Sequence, residues 1–145
     1  MIIESQPSPQ LKVLVIEDSP LVRQRLIAML TDLREVAEVS EAEGARQGTA
    51  LIRTLQPDLV VLDLKLPDGS GFDVLNSARS IPQAPLIAVL TNCASPEYRQ
   101  RCLELGAAAF LDKSMPFNQL KTTITELLRK KSSRGQEERA GGGQP

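Results

Sequence analysis

Polar side chains follow four apolar runs of this sequence, each at the position where the run ends. In chain order these positions are Glu17-Asp18, Asp63, Thr91 and Lys113. Carboxylate oxygens suit a hard divalent cation, Mg²⁺ above all. A lysine ammonium and a threonine hydroxyl can pair with a carboxylate or with phosphoryl oxygens. These residue types fit a cation site that handles a phosphoryl group, provided that the fold brings the distant positions together.

The apolar runs are predicted to be strands. A run of four to eight mostly apolar residues bounded by turn residues is typical of a strand buried on both faces. One run alternates apolar and polar residues and is more typical of a sheet edge. In order, the predicted strands span residues 11–16, 36–39, 59–62, 85–90 and 107–111.

Helical patterns, with apolar residues three and four positions apart, alternate with these strands. They cover about residues 20–33, 45–55, 71–79, 96–105 and 116–128. Ser19-Pro20 and Ser95-Pro96 each supply an N-cap and a proline for a first helical turn, and Gly106 stops the fourth helix. The alternation predicts an α/β domain with a doubly wound parallel sheet. All strands of such a sheet end at one edge, which gathers the polar residues into one crevice.

Three carboxylates in that crevice need a cation. Glu17, Asp18 and Asp63 would repel one another by several kcal/mol at intermediate dielectric if nothing neutralised them. Each residue alone has an ordinary explanation: the acidic pair could favour the first helix dipole, Lys113 could be a surface lysine, and Thr91 a strand residue. The joint arrangement, in which each residue closes its own strand, favours a shared site.

Histidine is absent from the 145 residues. This absence excludes Ser-His-Asp and Cys-His catalysis, histidine-bearing zinc sites and a phosphohistidine on this chain. The two cysteines, Cys93 and Cys102, form no Cys-x-x-Cys pattern, which favours reduced, structural thiols. Any histidine chemistry must therefore come from a partner.

The charge is nearly balanced, with 17 basic and 18 acidic residues, but it is unevenly distributed. Residues 1–128 carry a net charge of −4 and residues 129–145 a net charge of +3. An acidic body without tryptophan disfavours nucleic-acid binding. No apolar run approaches the roughly 20 residues that span a bilayer, and the N-terminus has no signal-peptide pattern. We therefore expect a cytoplasmic protein without a nucleic-acid or membrane partner.

Composition divides the chain into three parts. Residues 1–10, with two prolines, are expected to be a disordered leader, and residues 11–130 form the single domain. Residues 131–145 are polar and rich in glycine, which predicts a flexible tail. The chain is either a stand-alone domain or the part that precedes an effector domain. The start at Met1 and the glycine-rich end favour the stand-alone case.

The order of the polar residues resembles the receiver domain of two-component response regulators. The resemblance covers roughly residues 11–130, and it rests on Glu17-Asp18, Asp63 with Leu66-Pro67-Asp68-Gly69, Thr91 and Lys113. It implies a flavodoxin-like fold, with five parallel strands in the order 2-1-3-4-5 and five helices. It also implies that a histidine kinase or a histidine phosphotransfer protein phosphorylates Asp63 and so supplies the histidine that this chain lacks.

The resemblance implies a metal site built from four residues. Asp18 and Asp63 would ligate Mg²⁺ directly, together with the backbone carbonyl of Lys65. Glu17 would act at the metal through water. Magnesium would neutralise the transferring group, and Asp63 would be the nucleophile.

The resemblance also implies a switch driven by the phosphoryl group. Lys113 would bind its oxygens, and Thr91 would move to hydrogen-bond them. Phe110 occupies the position at which the family keeps an aromatic switch residue. The product carries about two negative charges where Asp63 carried one, so the surrounding loops are expected to respond.

Three positions bear on loop geometry and on the lifetime of the phosphoryl group. Ser114 follows the strand-five lysine where the family usually has a proline, often in a cis bond, so the usual loop geometry cannot be assumed. Lys65 lies two residues after Asp63, and Cys93 two residues after the threonine that ends strand four. In the family these positions modulate dephosphorylation. Lys65 either reaches the phosphoryl group, blocks the attacking water, or is simply solvated.

The leading interpretation is a signalling phosphoacceptor and not an enzyme, because it would catalyse only its own phosphoryl transfer and dephosphorylation. It would act on a downstream protein effector, and the family suggests a homodimer through residues 95–128. A Mg²⁺-dependent phosphatase with an aspartyl nucleophile is disfavoured, because such enzymes usually have a second acid where this chain has Lys65. A phosphorylation-independent adaptor is disfavoured because the whole set of site residues is present.

Overall fold

The computed structural model describes the backbone of residues 10–142 and the side chains of residues 10–133. The predicted leader, residues 1–10, lies outside the described residues except for Gln10. Strands and helices alternate along the chain. They are β1 (Leu11–Ile16), α1 (Pro20–Thr31), β2 (Val36–Ala42), α2 (Ala45–Leu55), β3 (Leu59–Leu62), β4 (Lys65–Leu66), β5 (Gly69–Ser70), α3 (Gly71–Ala78), β6 (Leu86–Thr91), α4 (Pro96–Glu104), β7 (Ala109–Asp112) and α5 (Phe117–Gly142).

Five of the strands form one parallel sheet in the order β2-β1-β3-β6-β7. Numbered within this sheet alone, the strands follow the order 2-1-3-4-5, and the predicted fold class is confirmed. β3 lies between β1 and β6, and all four of its residues are buried. Burial on both faces explains its uninterrupted apolar run. The central position of β3 puts Asp63 in the middle of the carboxyl edge.

The helices cover both faces of the sheet and enclose two apolar cores. α1 and α5 pack on one face, and α2, α3 and α4 pack on the other. β1 contributes to both cores, because successive side chains of a strand point to opposite faces. Val13 and Val15 lie in the core beneath α1 and α5, whereas Leu14 and Ile16 lie in the core beneath α2, α3 and α4.

The predicted starts and the stop of two helices are confirmed. The Ser19 hydroxyl accepts a hydrogen bond from the Val22 N–H, and the Ser95 hydroxyl accepts one from the Tyr98 N–H. Gly106, after α4, has a φ of 96°, which a residue with a side chain rarely adopts.

In the part of the chain that the structure describes, no helix combines the length and the apolar character that crossing a bilayer requires.

Several element ends differ from the sequence prediction. β2 continues past residue 39 to Ala42, because it pairs with β1 along that strand's whole length. β7 begins at Ala109 and includes Asp112. α5 continues to Gly142, through residues that composition assigned to a tail. The predicted boundary at residue 130 therefore falls inside a helix, and the flexibility of residues 131–145 stays a prediction.

A short hairpin joins β3 to α3. β4 and β5 pair in antiparallel fashion, and Pro67-Asp68 forms the turn between them. Gly71 follows immediately as the first residue of α3. A Cβ atom at Gly71 would lie 2.5 Å from the Asp63 carbonyl oxygen. Only glycine therefore allows the start of α3 to pack this closely against the end of β3.

Candidate functional site

The carboxyl edge of the sheet brings the predicted polar residues together. Two backbone hydrogen bonds fix the strand ends relative to one another. The Asp63 N–H donates to the Ile16 carbonyl at 3.0 Å, and the Lys113 N–H donates to the Thr91 carbonyl at 3.0 Å. The first bond ties the end of β3 to β1, and the second ties the segment after β7 to β6. The four positions separated in sequence thus line one crevice.

The Lys113 ammonium lies between two buried carboxylates. Its Nζ is 2.8 Å from Glu17 Oε1 and 2.9 Å from Asp63 Oδ2. Glu17 is 2% exposed and Asp63 is 6% exposed. A carboxylate buried to this degree needs a cationic partner, because desolvation strongly disfavours an unpaired charge. Lys113 supplies that partner, so the pairing predicted for Lys113 and Asp63 is present.

The pKa values of Glu17 and Lys113 are both shifted by their contact. Burial raises the pKa of Glu17, and the hydrogen bonds from Lys113 and from the Ser19 N–H do not fully offset it. Burial alone would lower the pKa of Lys113, but the hydrogen bonds and charges of Glu17 and Asp63 together outweigh it and raise that pKa. A second cation beside Glu17 would stabilise its charged form.

The acidic side chains are close enough to share a cation. One oxygen each from Glu17, Asp18 and Asp63 can be chosen such that all three lie within 4.8 Å of one another. All the donors in this set are carboxylate oxygens, which suit Mg²⁺ or Ca²⁺ better than a soft transition metal. The residues present therefore fit a divalent hard cation.

The remaining acceptor capacity is unequal among these carboxylates. Both Glu17 oxygens are occupied, one by the lysine ammonium and the other by the Ser19 N–H at 3.0 Å. Among the described residues, Asp63 Oδ1 accepts just a long hydrogen bond, 3.4 Å, from the Lys65 N–H. Asp18 is exposed, and within the described residues nothing engages its carboxylate. Asp18 and Asp63 thus have the freer oxygens, and their roles as direct ligands stay predictions.

Thr91 is buried and its hydroxyl is already engaged. Its Oγ1 accepts a hydrogen bond from the Cys93 N–H at 3.1 Å, within the loop that follows β6. The side chain is 1% exposed. To hydrogen-bond a phosphoryl oxygen, the Thr91 hydroxyl would have to donate its proton in that direction, and the loop would have to adjust. The movement expected of Thr91 stays a prediction.

The two residues expected to modulate dephosphorylation contact each other. The exposed Lys65 has its pKa raised chiefly by a hydrogen bond to the Cys93 side chain, and Asp63 contributes a smaller attraction. Cys93 is half-buried, and both cysteines are free thiols. The Lys65 side chain is exposed and lies near Cys93, while its backbone N–H donates the long hydrogen bond to Asp63 Oδ1. Its effect on dephosphorylation stays a prediction.

Phe110 lies on β7 opposite Val89 of β6. It is half-buried and packs against the core beneath α2, α3 and α4. A side chain that is only partly enclosed can change rotamer at moderate cost, which suits the switch role that the resemblance implies. That role stays a prediction.

The segment after Lys113 has its own local geometry. The described chain contains no cis peptide bond, so the bond between Lys113 and Ser114 is trans. The Ser114 N–H and hydroxyl both donate to Asp112 Oδ1 at 2.8 Å. This side-chain turn closes the loop where the family usually has a proline.

Two important residues were missed from the sequence. Arg23 is buried at the inner end of α1, and its guanidinium donates to the Glu17 carbonyl at 2.9 Å. The helical spacing indicated that Arg23 is buried, because it lies three residues before the buried Leu26, on the apolar stripe of the helix.

Asp68, interpreted only as a turn residue, accepts hydrogen bonds from the first N–H groups of α2. Gly44 provides no side-chain cap for that helix, which indicated that an acceptor was missing but not which residue supplies it.

The chain matches the family described as response regulator receiver domain over residues 13–125. It is 33% identical to the transcriptional regulatory protein CusR of Escherichia coli (strain K12) over 120 residues, which are 83% of this chain and 52% of CusR. The chain spans about half the length of the curated relatives it matches. Whether it acts as a stand-alone domain therefore stays a prediction.

Solved structures agree with this assignment. A CheY-like response regulator receiver domain protein from Methanospirillum hungatei JF-1 superposes with a TM-score of 0.78 at 26% identity, covering 86% of this chain and 98% of that chain. The BeF3-activated N-terminal receiver domain of RstA from Klebsiella pneumoniae superposes with a TM-score of 0.74 at 28% identity, covering 81% and 98%. With its strand order and its acidic edge, the chain belongs to the receiver domains of two-component response regulators.

Proposed function

We propose that this domain accepts a phosphoryl group on Asp63 from a phosphohistidine of a histidine kinase or a histidine phosphotransfer protein. The proposal rests on the position of the Asp63 carboxylate, which lies 2.9 Å from the Lys113 ammonium and beside two further acidic residues at the sheet edge. The donor histidine must belong to a partner, because this chain has none. The P–N bond of the donor breaks, an O–P bond to Asp63 forms, and the donor imidazole takes up a proton.

The residues of this chain position and neutralise the transferring group. Asp18, Asp63 and the Lys65 carbonyl would hold Mg²⁺, with Glu17 acting through water. When bound, Mg²⁺ supplies positive charge for the phosphoryl oxygens. Lys113 can exchange its contact with Asp63 for a contact with a phosphoryl oxygen, because its Nζ already lies at that carboxylate. Phosphoryl transfer needs this positioning and charge neutralisation more than it needs a general base.

The signal would be a change in the loops and helices beyond the site. A phosphoryl group on Asp63 adds negative charge and acceptor oxygens, which favour a new hydrogen bond from Thr91. Thr91 is tied to the Cys93 N–H, so its movement alters the loop that leads into α4. Phe110 follows on the adjacent strand. The RstA receiver domain was crystallised in a BeF3-activated form, which supports the same kind of activation for this fold.

The partners follow from this chemistry. Besides the phosphohistidine donor, we propose a downstream protein effector, a homodimer through residues 95–128, and no direct contact of this domain with nucleic acid. The only catalysis proposed is phosphorylation and dephosphorylation of its own Asp63. A stand-alone form and a cytoplasmic location remain predictions from the sequence.

Acetyl phosphate with Mg²⁺ provides a direct test. We expect a mass increase of one phosphoryl group in the wild-type chain and none in Asp63→Asn, with removal of Mg²⁺ by chelation also abolishing the increase. An unlabelled wild type under all conditions would contradict the proposal. Steady turnover of a generic phosphate ester would favour the phosphatase, and effector binding that is insensitive to Asp63→Asn would favour the adaptor.

A further inference from the structure

Arg23 is the one buried polar residue of the described core that the proposed reaction does not use. The buried polar or charged side chains of that core are Glu17, Arg23, Asp63 and Thr91. Three of them belong to the site at the sheet edge. Arg23 is 7% exposed, on the first turns of α1, and its burial requires an explanation because a desolvated guanidinium is unfavourable without partners.

The contacts of Arg23 connect the acidic loop to the end of β2. One guanidinium nitrogen donates to the backbone carbonyl of Glu17 at 2.9 Å and, less closely, to that of Asp18 at 3.4 Å. The other nitrogens contact carboxylates on and after β2: Nε lies 2.8 Å from Glu41 Oε1, and Nη2 lies 3.2 Å from Glu43 Oε1. A single side chain thus holds the two residues of the acidic pair by their backbone.

The ion pairs alone do not explain the burial. The side chains of Glu41 and Glu43 are 55% and 72% exposed, and pairs with such exposed carboxylates contribute little to stability. The contacts with the two carbonyls have a different consequence. They restrain the backbone that carries the Asp18 carboxylate and the Glu17 carboxylate, and they add to the hydrogen bond that the Glu17 N–H donates to the Ala42 carbonyl at 3.0 Å.

We propose that Arg23 is a positioning residue that holds the Glu17-Asp18 loop in the geometry required for binding a divalent cation. The proposal rests on the proposed function only in assuming that the acidic cluster takes Mg²⁺. Arg23 acts through the backbone carbonyls and does not touch the metal or the phosphoryl group. A lysine at this position would keep the charge but could not reach two carbonyls and two carboxylates at once, because it lacks the planar fork.

The test compares Arg23→Lys with Arg25→Lys, a matched control on the exposed side of α1. Binding of Mg²⁺ alone to the unphosphorylated full chain is measured by calorimetry. Partners that orient metal ligands typically change affinity by 10-fold to 100-fold, so we expect the Kd of Arg23→Lys to rise by about 10-fold. We expect the control to bind Mg²⁺ like the wild type.

Amide hydrogen exchange distinguishes positioning from general stabilisation. The Ser19 N–H, which donates to Glu17 Oε2, should exchange faster in Arg23→Lys, whereas the β3 amide of Val61 should keep its rate. Equal acceleration at both amides, or an unchanged Mg²⁺ affinity, would overturn the proposal. A wild-type chain that binds no Mg²⁺ would overturn the proposed metal site as well, whereas absence of Asp63 phosphorylation with normal Mg²⁺ binding would affect only the proposed function.

A second variant keeps the test available if Arg23→Lys does not fold. The double change Glu41→Gln with Glu43→Gln weakens the two ion pairs of Arg23 with exposed carboxylates and leaves the core unaltered. We expect a smaller rise in the Mg²⁺ Kd together with faster exchange at Ser19. Glu38→Gln, on the exposed part of β2, is the control for lost charge. The same Mg²⁺ Kd and the same Ser19 exchange rate in the double variant and in this control would contradict the positioning role of Arg23.

Discussion

The Asp68 carboxylate caps α2 from the loop that follows the phosphoacceptor strand. Its Oδ1 accepts a hydrogen bond from the Ala45 N–H at 2.6 Å, and its Oδ2 accepts one from the Arg46 N–H at 3.1 Å. Gly44, at the N-cap position, leaves room for this approach, since a Cβ atom there would lie 2.6 Å from Asp68 Oδ1. The loop five residues beyond Asp63 is therefore fastened to the start of a different helix.

Replacing Asp68 should loosen this connection. The backbone hydrogen bonds from Arg46 and Ala45 lower the pKa of Asp68, so the folded state prefers the ionised form. Its contribution to stability is complete above the unfolded pKa and is lost as the pH falls through the lower folded pKa. Asp68→Ala should lower the Tm at pH 7 by several degrees, and Asp68→Asn by less, because an amide oxygen still caps one N–H. Equal Tm values for the wild type and Asp68→Ala across pH 3–7 would contradict the capping role.

Removing the Lys113 ammonium from the site should make the stability of the domain depend more strongly on Mg²⁺. In Lys113→Met the buried carboxylates of Glu17 and Asp63 lose their cationic partner, which we expect to destabilise the fold by about 3–5 kcal/mol. The Mg²⁺-dependent rise in Tm should be larger in this variant than in the wild type, because no ammonium competes for the carboxylates. Lys121→Met, at an exposed position of α5, is the control. A Mg²⁺ shift no larger than that of the control would exclude competition between Lys113 and the metal.

Two neighbouring glycines should respond differently to alanine. In Gly71→Ala the new Cβ would lie 2.5 Å from the Asp63 carbonyl oxygen and 2.7 Å from the Leu64 Cα, and both atoms belong to the backbone. We expect a loss of about 1–3 kcal/mol in the free energy of unfolding, together with slower phosphorylation, because the end of β3 must shift. Gly69→Ala meets only the Ala45 Cβ, at 3.3 Å, and should be milder. Denaturant unfolding measures both, and equal losses would show that the contact with β3 is not the cause.

The two thiols should differ in reactivity and in their effect on stability. Cys102 is fully buried, and burial raises its pKa to about 11. An unfolded chain ionises this thiol near pH 9 while the folded chain keeps it protonated, so stability should fall as the pH rises from about 9 to about 11. A thiol reagent at pH 8 should modify one cysteine per native chain, Cys93, and mass spectrometry of peptides identifies it. Modification of Cys102 at the same rate would contradict its burial.

Lys65 should influence the lifetime of the phosphoryl group. Its exposed side chain lies near Cys93 and is weakly attracted by the Asp63 charge, and we expect it to hinder an attacking water. We expect Lys65→Ala to dephosphorylate faster than the wild type, whereas Lys12→Ala, at the opposite end of the sheet, should not. Decay of the phosphorylated mass after removal of acetyl phosphate measures the rate. The same decay in Lys65→Ala and in the wild type would indicate a lysine without a role in dephosphorylation.

Much of the fold could be predicted because it depends on local patterns. The apolar run before Asp63 and the capped helix starts at Ser19 and Ser95 are each encoded within a few residues. Parallel topology then forces the strand ends to one edge, so the meeting of Glu17, Asp63 and Lys113 also followed. The ends of β2 and β7 were less accurate, because pairing with a neighbouring strand decides where a strand stops.

Polar contacts between distant segments were not predictable in the same way. Arg23 pairs with Glu41 on β2 and with Glu43 just after it, and Asp68 accepts hydrogen bonds from the start of α2, 22 and 23 residues before it in sequence. No periodicity specifies such partners, since each depends on how distant segments pack after the sheet has formed. The sequence by itself determined the sheet, the acidic edge and the lysine that meets it. Only the tertiary structure decided how the acidic loop is held and what Asp68 caps. A sequence can show that a helix start lacks a capping side chain, but it does not show which distant residue supplies the acceptor.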